Sequence, residues 1–425
     1  MPKKLIYMDY AATTPVDERV FRAMTPYFSE EFGNPSNLYA LGLKAKKAVT
    51  EATRKIVDAL NCAPDEFIFT GSATEADNLA LAGAARANKK YGNKIIVSNI
   101  EHKAVLSTCE ALKKEGFEII ELPVGGDGLV RPADLRKLLD KKTILVSVMC
   151  ANNEIGTIQP IREISEQIRR FRRGSGVRAA LPVLHSDAVQ ALQYLDCDVR
   201  KLGVDLMTIS SHKLYGPKGI GGLYVRRGVA IEPIIYGGGQ QRKLRSGTEN
   251  VPAIVGFGEA VALARKARKT ESARVKNLRD KLEKEIFRAI PKVVLNGHSV
   301  KRLPNFLNIS VLDVEGEALL LYLDKKGIFV NTGSACNSES LEPSYVLRAL
   351  GRPYEHVHGS IRFTLGRGTR KADIDRVLRE LPPLVEKLRR LSPVDLNLKE
   401  RKEISLPKAF VGGQTPHFLR KLRTK

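Results

Sequence analysis

The stretch DLMTISSHKLYGPKGIGGLYV, residues 205–225, joins two apolar runs through a polar turn. DLMTIS and GGLYV read as strands buried on both faces. Where the first run ends stand Ser210, Ser211, His212 and Lys213, and a turn rich in glycine and proline follows. A lysine directly after an apolar strand is unusual, because strand-terminal lysines normally reach solvent. Here desolvation is expected to lower its pKa and make the amine a nucleophile towards aldehydes.

Working outward, short β-branched runs alternate with helical patterns from residue 66 to about 225. The expected strands are EFIFT (66–70), KIIVS (94–98), TILVSVM (143–149) and PVLHSD (182–187), besides the two already quoted. That alternation predicts a mainly parallel sheet with crossover helices, an α/β fold. After YGGGQQRKLRSGTEN (236–250) a long helix is expected from near Val251. Val275, Leu278, Leu282 and Ile286 recur on it as an amphipathic stripe. Further on, NFLNISV (305–311) and IRFTL (361–365) read as strands, and EGEALLLYLDKKG (315–327) and ADIDRVLRELPPLVEKLRRL (372–391) as helices. The expected organisation is a large α/β domain over 16–258, a smaller α+β domain over 259–398 and a basic tail over 399–425.

Ligands of open parallel sheets sit outside the carboxyl ends of the strands, so polar residues there carry the functional reading. EFIFT runs into Gly71, Ser72, Ala73 and Thr74, small residues opening a helix, which suit a phosphate cradle or a plain N-cap. KIIVS is followed by Glu101 and His102, and TILVSVM by Asn152, Asn153 and Glu154; a lone histidine is more often structural, and Asn pairs are ordinary turn formers. PVLHSD ends on Asp187, with Gln190 three residues on. Each signal is weak alone. Together they supply an amine for an aldehyde, a carboxylate for a pyridinium nitrogen, an amide donor, a histidine and a phosphate cradle, the set that pyridoxal phosphate requires.

The chain resembles the cysteine desulfurases of the NifS/IscS class, which are fold-type I pyridoxal phosphate enzymes. The motifs that carry the resemblance are YMDYAATTPVD, FGNPSNLYALG, SATEADNLA, EHKAVL, NNEIGTIQPI, SHKLYGPKGIGGLYVRR, RSGTEN, GSACNSESLEPSYVLRALG and SIRFTLGR, in the family's order from about residue 5 to 395. The resemblance implies a seven-stranded, mainly parallel large-domain sheet and an N-terminal segment, 1–15, packing with the small domain. It implies Lys213 as the Schiff-base lysine, Asp187 as partner of the pyridine nitrogen, Gln190 as donor to the phenolic oxygen and His102 as the histidine over the ring. Ala73, Thr74, Ser210 and His212 match phosphate-holding positions. Thr248 matches a residue reaching the cofactor of a homodimer partner, and Asn153 and Arg362 match binders of the substrate carboxylate. Cys336, in the long loop 331–345, matches the cysteine that takes sulfur from L-cysteine as a persulfide and passes it to an acceptor, such as an iron–sulfur scaffold protein. Selenocysteine lyases share the scaffold and remain an alternative.

Composition bounds the rest. The 425 residues, 43% apolar, allow two domains without covalent staples. Five cysteines, Cys62, Cys109, Cys150, Cys197 and Cys336, lie far apart with no CxxC pair, which argues for reduced thiols in the cytoplasm and against a permanent metal site. Cys336 is expected at most as a transient cluster ligand. Neither a signal-peptide core nor a membrane-spanning run is expected. The net charge of +23 is spread over helix faces, except at 399–425, where eight Lys/Arg meet two Glu. That tail suggests a docking arm or RNA contact, and a non-catalytic RNA-binding scaffold is the rival reading of another class. Against it, aromatics are only 6% and tryptophan is absent. The segment 171–182, FRRGSGVRAALP, reads as a surface insertion.

Overall fold

The computed structural model describes residues 5–174, 176, 181–332 and 343–392. Its strands are β1 Ile6–Tyr7, β2 Phe67–Thr70, β3 Lys94–Ser98, β4 Glu118–Leu122, β5 Thr143–Ser147, β6 Val183–Asp187, β7 Leu206–Ser210, β8 Gly221–Val225, β9 Val293–Leu295, β10 Phe306–Val311, β11 Ile328–Phe329 and β12 Ser360–Thr364. Seven of them form one sheet in the order β2-β8-β7-β6-β5-β3-β4. The expected mainly parallel sheet is present.

Two details differ from the strand-by-strand reading. β8 runs antiparallel to both neighbours, β2 and β7. The connection 211–220 holds no helix, and a parallel return needs a crossover of a dozen or more residues, so the chain folds straight back. β4 was not expected. It lies at the sheet edge beside β3, and its sequence EIIEL, with Glu118 and Glu121 exposed, lacks the continuous apolar character of the central strands.

Alternate residues of each central strand feed opposite faces of the sheet. Ile96, Val146, Leu184 and Met207 pack with Ile56, Ile164 and Phe257 from helices on one side. Ile95, Val97, Leu145 and Leu206 pack with Leu79, Val105 and Leu112 on the other. Burial on both faces is why these runs read as uninterrupted apolar sequence.

The helix Val251–Ala289 is 39 residues long and serves two cores. Its first half places Ile254, Phe257 and Val261 against the seven-stranded sheet. Its second half places Val275, Leu282 and Ile286, all at most 1% exposed, among residues of β10 and β12 and of the helix Lys371–Leu391. Leu278, the fourth member of the expected stripe, packs at the edge of that cluster. β12, β10 and β9 form an antiparallel sheet, and β1 pairs in parallel with β11 through Ile6↔Ile328. The N-terminal segment is thereby attached to the carboxyl-terminal third of the chain.

Candidate active site

At the carboxyl ends of the sheet strands lies a cavity of about 520 Å³. Lys213, Asp187, Gln190, His102 and Ser210 line it, together with Ala73, Thr74 and His212. Asn153 and Arg362 line it as well, although Arg362 belongs to the separate sheet of β12. Thr248 is not among the lining residues; it is exposed, in the loop before the helix Val251–Ala289. Cys336 and most of the loop 331–345 lie outside the described residues, as does the tail 399–425.

Lys213 owes its position to a taut turn. After β7 the backbone reverses through Tyr215, whose φ of +65° lies in the left-handed region that a tyrosine rarely adopts. Three contacts hold it there. Its N–H donates to Thr14 Oγ1 at 2.8 Å, its carbonyl accepts from Asp17 N at 2.9 Å, and its hydroxyl accepts from Arg367 N at 2.7 Å. Lys213 Nζ then donates to the carbonyls of Ala11 at 2.7 Å and Ala12 at 2.5 Å. Gln190 Nε2 donates to the same Ala11 oxygen at 3.0 Å. One wall of the cavity is thus the backbone just after β1.

Asp187 closes β6, and its Oδ1 accepts from Val189 N at 2.8 Å. Burial raises its pKa, opposed by the charges of His102 and Lys213. His102 caps the helix Lys103–Lys114, its Nδ1 accepting from Ala104 N at 3.1 Å. In the neutral ring that bond assigns the proton to Nε2. Burial holds His102 below its ordinary pKa, against the pull of Asp187. His212 is drawn down to about 4 by burial and by Lys213 and Lys218. Burial thus disfavours the charged form of both imidazoles.

Asp77 also lines the cavity, close enough to Asp187 to feel its charge. Asp77 Oδ1 lies 3.5 Å from His185 Nε2. His185, bonded to Ser147 at 2.9 Å and Thr208 at 3.1 Å, is pushed to about 3 by burial, so this contact is no ion pair. Burial and the nearby Asp187 raise the Asp77 pKa well above the usual carboxylate range.

Glu101, next to His102, is fully buried. Its Oε1 accepts from Ser98 Oγ at 2.5 Å and Met149 N at 2.7 Å, while Oε2 has no partner. Burial pushes its pKa from 4.5 to about 8. The folded protein therefore holds this proton more tightly than the unfolded chain, and stability declines as pH rises from about 4.5 to about 8. Glu101→Gln keeps the acceptor oxygen and removes the titration. Urea midpoints across that range are expected to fall less steeply with pH in the variant, which should be the more stable protein at pH 8. A slope equal to that of wild type would reject the assignment.

Asn152 behaves as the turn former the sequence suggested, its Oδ1 accepting from Glu154 N at 2.8 Å and Ile155 N at 3.0 Å. Cys150 is a core residue, and burial pushes its thiol up to about 12. Cys62 and Cys109 are raised likewise, which leaves them poor nucleophiles. Among the described residues no three His, Cys, Asp or Glu side chains converge to hold a metal ion.

The aminotransferase class-V family matches residues 6–377. A cysteine desulfurase IscS of Methanosarcina thermophila is 49% identical over 391 residues, covering 92% of this chain and 94% of that protein. The cysteine desulfurase IscS of Dictyoglomus turgidum is 47% identical, covering 94% of this chain and all of its own length. The chain belongs to the cysteine desulfurases of the class-V aminotransferase family. A solved NifS-like protein superimposes with a TM-score of 0.84 at 34% identity, covering 90% of this chain and 100% of that one.

Cysteine desulfurases depend on pyridoxal phosphate, and this cavity fits that group. Ser210 Oγ and Asn153 Oδ1 are buried with no hydrogen-bond partner among the described residues, polar atoms that a bound ligand would satisfy. At the cradle, Ser72 Oγ accepts from Glu75 N at 3.1 Å, so this serine is also a genuine N-cap. β8 passes so close that a Cβ on Gly221 would meet Ala73 N at 2.7 Å, which explains glycine at the strand start. The sequence reading found ten of the residues that line the cavity but assigned nothing to Asp9, Asp77 or the carbonyls of Ala11 and Ala12. The motif YMDYAATTPVD carried a signal for Asp9, and backbone oxygens leave none.

Proposed function

We propose that this protein is a cysteine desulfurase converting L-cysteine to L-alanine, with the sulfur passing to Cys336 as a persulfide. The observation that carries the reading is the meeting of Lys213, Asp187 and Arg362 in one cavity. Amine, carboxylate and guanidinium match the aldehyde, the pyridine nitrogen and the α-carboxylate in turn.

When bound, pyridoxal phosphate supplies an electron sink for the pair left at the α-carbon. The remaining work belongs to the chain. Ala73, Thr74, Ser210 and His212 hold the phosphate, the unpartnered Ser210 hydroxyl donating to it. Asp187 would keep the ring nitrogen protonated, that cation offsetting the burial that raises its own pKa. Gln190 donates to the phenolic oxygen. Lys213 would anchor the aldehyde and, when its amine is free, would move the α-proton; His102, its Nδ1 engaged by Ala104 N, would assist by donating from Nε2. Asn153 and Arg362 hold the substrate carboxylate. The Cys336 thiolate attacks the substrate sulfur, an S–S bond forms as the C–S bond breaks, and the carbon takes a proton to become the methyl group of alanine.

Thr248, exposed outside the cavity, is assigned to the cofactor of a second copy in a homodimer. The carrier loop delivers sulfur to an acceptor, an iron–sulfur scaffold or a tRNA-thiolating protein, with Cys336 as a passing ligand of a nascent cluster, and the reduced thiols suit the cytoplasm. The tail 399–425 is assigned to contact with an acidic partner or RNA. No described helix is long and apolar enough to cross a membrane.

The test is to supply L-cysteine and L-selenocysteine separately with a thiol reductant and quantify alanine. Alanine and sulfide are expected in equal amounts from L-cysteine. Negligible turnover of L-cysteine beside rapid turnover of selenocysteine would overturn the assignment.

A further inference from the structure

We propose that Asp9 positions the substrate carboxylate by acting through Arg362, an inference resting on the assignment of Arg362 as the carboxylate binder. β1 delivers Asp9 to a single bridge with Thr364, at the end of β12. Arg362 stands two residues earlier on the same strand, so it shares the face of Thr364. Only 5% of its side chain is exposed, and 14% of that of Asp9.

The guanidinium is fixed from two directions. Arg362 Nη2 donates to Asp9 Oδ1 at 2.6 Å, and Nη1 donates to the carbonyl of Asn153 at 2.7 Å. Arg362 Nε is buried and has no partner among the described residues. Asp9 is itself held. Its Oδ2 accepts from Asn331 Nδ2 at 3.1 Å, and Asn331 exchanges backbone hydrogen bonds with Arg362 at 3.2 and 2.6 Å. Asp9, Asn331 and Arg362 therefore close a ring.

This ring has a specific use. A guanidinium carries five N–H groups in a rigid plane, and two are directed here by Asp9 and Asn153, which leaves the others for an incoming carboxylate. An arginine so deeply buried and lacking an anionic neighbour would be costly to keep charged and free to rotate. Asp9 offsets the cost of burying that charge and keeps the guanidinium aimed before substrate arrives, so binding need not order it. The effect concerns the carboxylate, not the reacting carbon or sulfur. It belongs to binding, in KM and not in kcat.

The test uses holoenzyme with Asp9→Ala, Asp9→Asn and Arg362→Ala, with calorimetric titration of L-alanine as a readout separate from turnover. Asp9→Ala is expected to weaken L-alanine about tenfold and to raise KM for L-cysteine by about the same factor, with kcat within about threefold of wild type. Asp9→Asn keeps an acceptor oxygen, recovers part of the loss at about threefold weakening, and carries the test if Asp9→Ala does not fold. Cysteamine, which lacks the carboxylate, is expected to bind all Asp9 variants as it binds wild type. Unchanged L-alanine affinity in both Asp9 variants, an equal loss for cysteamine, or a fall in kcat alone would overturn the proposal. If Arg362→Ala weakens L-alanine and the Asp9 variants do not, this proposal fails and the assignment of Arg362 stands. If Arg362→Ala leaves L-alanine affinity unchanged, the assignment itself fails.

Discussion

Lys213→Ala protein, purified in the presence of pyridoxal phosphate and desalted, is expected to emerge without the visible absorption of the wild type. The amine at this position is the only group proposed to hold the aldehyde covalently, and it also moves the α-proton. Removing it takes away anchor and base together, and turnover of L-cysteine is expected to fall by roughly 10³-fold or more. The fold should survive. Lys213 touches the rest of the chain through hydrogen bonds to Ala11 and Ala12, and the strained turn at Tyr215 is held by Thr14, Asp17 and Arg367. Circular dichroism and the urea midpoint should therefore stay close to wild type. A yellow Lys213→Ala protein that survives desalting and turns over L-cysteine would place the chemistry on another residue.

Cys336→Ala is expected to do the reverse. The cofactor absorption should be present and should respond to added L-cysteine, because no residue proposed to hold cofactor or substrate has changed. Alanine release should fall by about 10²- to 10⁴-fold, the scale on which a nucleophile contributes. In wild type, brief exposure to L-cysteine should add one sulfur atom to the intact mass. In Cys336→Ala that addition should be missing. Each of the other four cysteines is buried or partly buried, and burial raises the thiol pKa of all of them, so none offers a ready thiolate in its place. Full alanine release from Cys336→Ala would remove the persulfide from the mechanism.

How far the sequence could be read depended on what each residue's role rests on. Lys213, Asp187 and His102 were legible because they follow apolar runs, and in a parallel sheet the end of a run is a place in space. The antiparallel course of β8 is fixed by the length of a connection, and β4 by its place at an edge; neither leaves a mark in hydrophobic periodicity. Arg362 was found through the family motif and not through its surroundings, since its contacts with Asp9 and Asn153 come from parts of the chain far from it in sequence. Asp77 and Glu101 are carboxyl groups inside a core. Their sequence neighbours give no sign of it, because the helices and strands that enclose them are assembled by the tertiary fold.

The attachment of the N-terminal segment also bears on when the site can exist. Ala11 N donates to Thr364 Oγ1 across 353 positions of sequence, and the carbonyls of the same short segment receive Lys213 and Gln190. During synthesis the seven-stranded sheet is complete once residue 225 has emerged, but the wall facing Lys213 lacks its anchorage until residue 364 follows. Ala11 and its neighbours thus precede most of their partners by hundreds of positions. A nascent chain can carry the lysine, the aspartate and the phosphate cradle in place while its pocket still lies open on one side. Closure of the reaction chamber is coupled to the synthesis of β12.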